Sequence, residues 1–87
     1  MKLLMVSPGD NVVVALEDIS TGQVAIVLSD DRELIVVDNV PKGHKIAMLD
    51  MEKGECIIKG GVVIGVLYHG IKKGAHVHVH NLRSKYL

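Results

Sequence analysis

Three of the five histidines fall within six residues, His76-Val77-His78-Val79-His80-Asn81. In an extended strand, side chains alternate between faces, so the three imidazoles share one side while Val77 and Val79 turn to the other, toward a core. Same-face neighbours lie about 6.6–7 Å apart along the strand. From there two imidazoles can lean onto one metal with bonds of about 2.0–2.1 Å, which makes His76 and His78 candidate metal ligands. Imidazole also titrates nearest neutral pH, so the same row can supply a general acid or base. His78 and His80 are the candidates for that role, with His44 approaching from the turn in Val40-Pro41-Lys42-Gly43-His44-Lys45. Lys45, cationic beside an imidazole, suits a carboxylate, and Asn81 can orient an imidazole or hold a substrate hydroxyl. The plainer alternative is an edge strand with a solvated polar face.

Other reactive residues carry weaker signals. His69 has no partner in the pattern and reads as surface. Cys56, in Glu55-Cys56-Ile57-Ile58, reads as a small buried hydrophobe and not as a nucleophile. Gly60-Gly61 reads as a flexible link between two strands, without the helix and Lys-Ser/Thr of a phosphate loop.

The elements that must position these residues are strands. Valine occupies 14 positions and isoleucine 8, types that suit a pleated, half-buried surface better than a helix. Strand-length apolar runs are expected at 2–6, 12–16, 23–28, 33–37, 44–49, 55–59, 62–68 and 76–81, with no helix beyond a single turn. Between them an apolar-x-x-Gly element recurs: Ile19-Ser20-Thr21-Gly22, Val40-Pro41-Lys42-Gly43, Met51-Glu52-Lys53-Gly54 and Ile71-Lys72-Lys73-Gly74. The closing glycine fits a turn that needs positive φ, with the apolar residue tucked beneath as an anchor. Anchor spacings of 21, 11 and 20 residues make the first and second pairs look like two copies of one unit. The expectation is an all-β, pseudo-two-fold fold of two hairpin-like halves. Ordinary glycine turns of a small β protein are the alternative.

Length and charge exclude several classes. Eighty-seven residues leave room for one domain, expected over 1–87, with an aliphatic core because there are two tyrosines and no other aromatic residue. Ten basic against ten acidic residues, and so few stacking rings, argue against nucleic acid as a partner. Residues 1–40 hold seven acids and two bases, whereas 41–87 hold three acids and eight bases. The basic second half therefore suits an anionic substrate or an acidic partner surface. No segment reaches membrane-spanning length. The apolar start is cut short at Ser7-Pro8-Gly9-Asp10, and a lone cysteine does not mark an oxidising compartment, so a cytoplasmic location is expected.

Several motifs, taken in order, resemble a known family. These are Asp10-Asn11-Val12, Gly43-His44-Lys45 with Ile46-Ala47 and Asp50, Ile58-Lys59 with Gly61, Ile64-Gly65, and Gly74 through the histidine row. Together they resemble the SAF domain of altronate and galactarate dehydratases, a family that also includes the two-subunit sulfolactate sulfo-lyase. The chain departs from the family's frequent Ile-Lys-Tyr-Gly with Ile58-Lys59-Gly60-Gly61. The resemblance implies a β-clip of bent hairpins and a lyase that eliminates water from a sugar acid. It also implies a divalent metal, usually iron, held mainly by a large catalytic subunit, of which this chain would be the small partner; the small subunit of a sulfolactate sulfo-lyase is the alternative within the family. Asn11, Lys45, Lys59 and Asn81 are then the candidate substrate-binding residues. A stand-alone module that binds a metal or an anion through its histidine row, as carrier or sensor, is the reading from another class. A further one, an exported appendage-assembly chaperone, is opposed by the interrupted apolar start.

Overall fold

The computed structural model describes residues 1–78 in full and the backbone of 82–84. Its strands are β1 (Lys2–Leu4), β2 (Val12–Ala15), β3 (Val24–Val27), β4 (Glu33–Ile35), β5 (Lys45–Ala47), β6 (Cys56–Lys59), β7 (Val62–Leu67), β8 (His76–Val77) and β9 (Leu82–Ser84). No helix occurs among the described residues, so the all-β expectation holds. One sheet has the order β4-β3-β1-β2-β5-β8 and the other β6-β7-β9. All neighbours are antiparallel except β1 and β3.

The four apolar-x-x-Gly elements organise this topology. Ile19 and Val40 form an antiparallel bridge, and so do Met51 and Ile71. Each bridge is made of two backbone bonds of 2.8–2.9 Å, and each ties the base of one hairpin, β3–β4 or β6–β7. Gly22, Gly43, Gly54 and Gly74 close their turns at φ +86 to +89°, the left-handed region that favours glycine. A short polar residue precedes three of the anchors and reaches across to the paired turn. Asp18 Oδ1 accepts from Lys42 N at 2.8 Å, Asp50 Oδ1 from Lys73 N at 2.8 Å, and Asn39 Oδ1 from Thr21 N at 2.9 Å.

Each anchor pair belongs to its own core. Ile19 and Val40 pack with Leu3, Val27, Leu34 and Val36, whereas Met51 and Ile71 pack with Ile57, Leu67 and Val77. The strands β2 and β5 run between the two cores and feed both. Val13 and Ile46 face the first, while Val12 and Ala47 face the second, as strand alternation requires.

The large sheet curls until its edges meet. Beyond β4, Val37 N donates to Gly74 O at 3.0 Å, and Asp38 Oδ2 accepts from His76 N at 2.9 Å. A second lock joins the two halves. The buried Asp10 carboxylate accepts from the amides of Ser7, Gly60 and Gly61 at 2.8–3.0 Å. Gly60-Gly61 is therefore the held tip of the tight β6–β7 hairpin and not a flexible link. Of the strand expected over 76–81, residues 79–81 lie outside the described residues. The pairing described with β5 covers His76 and Val77, and Leu82–Ser84 pairs with β7 in the other sheet.

Candidate functional site

Antiparallel pairing builds the histidine cluster. Along β5 and β8 the register sets Ile46 opposite His76 and Lys45 opposite Val77, so continuing it sets His44 opposite His78. Directly opposed residues in such a ladder have Cβ atoms about 4.5–5.5 Å apart, and diagonal ones remain within reach of ring side chains. The rings follow this geometry. His44 and His78 stack with centroids 3.9 Å apart at 19°, and His44 and His76 lie 5.0 Å apart at 24°. His76 and His78, two residues apart on one face, are 5.8 Å apart and nearly parallel at 7°.

The backbone that carries the His44 and His76 rings is held by several bonds. His44 N donates to Pro41 O at 3.0 Å inside the Gly43 turn, and His44 O accepts from Ala15 N at 2.9 Å. His76 is held by its pairing with Ile46 and by Asp38. Between the rings, His44 Nδ1 and His76 Nε2 are 2.8 Å apart, a hydrogen bond in which one nitrogen donates and the other accepts. All three residues are half-buried, and one nitrogen from each lies within 4.8 Å of the others.

The lysines form a second group. Lys45 leaves β5 on the side of Ala47, opposite Ile46 and the His44 ring, as alternation dictates. Burial, and then the charge of Lys59, lower its pKa from the ordinary 10.5. Lys59 also lies close enough to Asp10 to favour that carboxylate's charged form. Burial raises the Asp10 pKa, but the amides of Gly61, Gly60 and Ser7, helped by Lys59, outweigh it and leave the group below its ordinary 3.8. A carboxylate that accepts several backbone bonds is expected to behave this way.

Of the residues expected from sequence, His44, His76 and His78 come together, and Lys45 comes close to Lys59 on the other face of β5. His80 and Asn81 lie outside the described residues. Asn11 turns its amide to the backbone of β6, donating to Cys56 O and accepting from Ile58 N, both at 2.8 Å. It clamps the start of β2 to β6, which uses one of its two amide hydrogens and one of its two oxygen lone pairs. Cys56 is exposed, which corrects the buried reading; Ile57 takes the inward position of β6 and alternation sends its neighbour out. His69 is exposed, as expected. Asp38 and Asp10, which position the site and the halves, carry no sign of those roles in local sequence.

The chain is similar to known proteins along most of its length. The family model of the altronate/galactarate dehydratase SAF domain matches residues 1–85. The chain is 42% identical over 77 residues to the (2R)-sulfolactate sulfo-lyase subunit alpha of Chromohalobacter salexigens, covering 84% of this chain and 82% of that subunit. It is 36% identical over 62 residues to the subunit of the same name from Paracoccus pantotrophus, covering 69% of this chain and 92% of that one. It is 38% identical over 84 residues to the altronate dehydratase of Escherichia coli, covering 97% of this chain but only 17% of that enzyme. The chain belongs to the altronate/galactarate dehydratase SAF domain family.

Proposed function

We propose that this chain is the small subunit of a lyase acting on a hydroxy acid, and that His44, His76 and His78 are its contribution to a site completed by a larger catalytic subunit. The observation that carries this reading is the match to two relatives named as subunits, of which the chain spans 82% and 92%. A subunit has a partner, and the larger catalytic chain is proposed as that partner. Capacity argues the same way, because a domain of this size cannot present an imidazole cluster and also enclose a sugar acid in a pocket of about 300–1,000 Å³.

The chemistry needs what a histidine cluster offers. A proton α to a carboxylate is weakly acidic, and its removal places negative charge that fixed positive groups must stabilise. The group leaving from the β carbon then takes a proton from an acid within about 2.6–3.2 Å. An imidazole of the cluster can deliver that proton or hold a cation. The divalent metal that the resemblance implies, iron held mainly by the large subunit, supplies Lewis acidity when bound. Lys45 and Lys59 repel one another, and a nearby anion relieves that repulsion. Because they face away from the histidines, an acidic surface of the large subunit suits them better than the reacting carboxylate. A sugar acid is the proposed substrate and the cytoplasm the proposed location.

The test is reconstitution with a large subunit, assayed against altronate, galactarate and sulfolactate. The complex is expected to turn over one of them and the isolated chain none. Turnover by the isolated chain at an ordinary enzymic rate of about 1–1,000 s⁻¹ would overturn the subunit reading.

A further inference from the structure

We infer that His44, His76 and His78 form a metal site of this chain's own, selective for a late first-row divalent cation such as Zn²⁺, Co²⁺ or Ni²⁺. The inference assigns the cluster of the proposed lyase site a role in holding a cation, and it does not depend on the large subunit. Three observations carry it. First, one nitrogen from each ring already lies within 4.8 Å of the other two. Around a tetrahedral cation with bonds of about 2.0–2.1 Å, ligand nitrogens sit about 3.4 Å apart. The His44 Nδ1 to His76 Nε2 contact of 2.8 Å therefore opens by about half an ångström, while the third ring closes in.

Second, two of the three rings stand on backbone that is already held. His44 is bonded within the turn and to β2, and His76 is held by β5 and by Asp38. What remains is for the rings, stacked within 24° of one another, to turn about their side-chain bonds and aim one nitrogen each at the cation, a smaller task than ordering the backbone as well. Third, the donor set is all imidazole. Neutral nitrogen ligands favour zinc, cobalt, nickel and copper over magnesium and calcium, which prefer oxygen. Three protein ligands also leave a position open, as catalytic sites do, for a substrate oxygen or a group from a partner.

The probe is Co²⁺, followed by Zn²⁺ in competition, on the purified, untagged full chain without a large subunit. One equivalent of Co²⁺ is expected, with a visible absorption band from nitrogen ligation, and Mg²⁺ should not displace it. His44→Ala and His78→Ala should each weaken binding by about 100-fold or more, whereas His69→Ala, on an exposed loop, should leave it unchanged. Thermal unfolding of the metal-free variants separates ligand loss from misfolding, because loss of binding counts only where the unfolding midpoint matches that of the parent. As an independent readout, Zn²⁺ should raise the midpoint of the parent chain and not that of His78→Gln. Absence of stoichiometric binding, or binding that survives both His44→Ala and His78→Ala, would overturn the inference. An active complex whose small subunit binds no metal leaves the lyase reading standing and removes this one. A metal-binding chain that never supports turnover does the reverse.

Discussion

The turns closing at Gly43 and Gly74 occupy equivalent places in the two halves and differ in the side chains just beyond them. Each is anchored by a bridged apolar residue, Val40 or Ile71. Each glycine has nearly the same φ, +86° and +89°, and donates to a strand carbonyl at 2.8–2.9 Å. After the first glycine comes His44, and after the second come Ala75 and then His76. One scaffold is used twice, and its imidazole side chains are placed so that the two copies converge on one spot instead of forming two separate clusters. The glycines differ as well. A Cβ at Gly43 would meet nothing within 4 Å, whereas one at Gly74 would lie 2.2 Å from Ile35 O. The second turn is thus also part of the seam that closes the sheet beside His76.

The largest expected effect breaks that equivalence directly. Gly74→Ala combines left-handed strain with a backbone clash and should cost about 4 kcal/mol, enough to unfold much of a marginal domain. Gly43→Ala carries only the strain and should cost about 1–2 kcal/mol. Denaturant unfolding of the two variants measures the gap, and equal losses would show that the seam does not depend on Gly74.

Asp10, which joins the halves, ranks next. Asp10→Ala leaves three backbone donors without their acceptor and should cost about 2–3 kcal/mol at pH 7. Because its folded pKa lies below 3.8, its contribution is fully present above the ordinary value. It is lost as pH falls through the folded value. The stability difference between parent and variant should therefore shrink below about pH 4. A difference unchanged between pH 7 and pH 3 would show that the carboxylate's charge plays no part.

Smaller still are the paired Asx contacts. Asp18→Ala and Asp50→Ala each remove one side-chain bond to the opposite turn and should cost about 1 kcal/mol apiece. Similar values in thermal unfolding would support equivalent halves, and a several-fold disparity would break the pseudo-symmetry.

Much of this frame is legible in the sequence, because turn glycines and their apolar anchors announce themselves by residue type. The spacings 21, 11 and 20 pick out the very pairs that bridge. Alternation alone places His76 with His78. Convergence of His44 on them needs the β5–β8 register, which no local pattern supplies. The sheet closure through Asp38 and Gly74 is longer-range still, and so is Asp10 reaching the Gly60-Gly61 tip fifty residues away. The Asx before three anchors is readable in principle, since short polar side chains in front of turns commonly bond backbone amides. Cys56 shows the opposite error: apolar neighbours suggest burial, yet Ile57 already takes the inward place in β6.

The most direct measurement is turnover of the reconstituted complex carrying His44→Ala or His78→Ala, beside Asp18→Ala as a scaffold control. Assembly should be unaffected in all three, since half-exposed imidazoles contribute little to folding. Turnover of the two histidine variants should fall by about 100-fold or more, while the Asp18→Ala complex keeps most of its rate. Turnover within about twofold of the parent in both histidine variants, against the 100-fold or greater loss expected of a group that transfers a proton or holds a catalytic cation, would remove the cluster from the active site and contradict the proposed function.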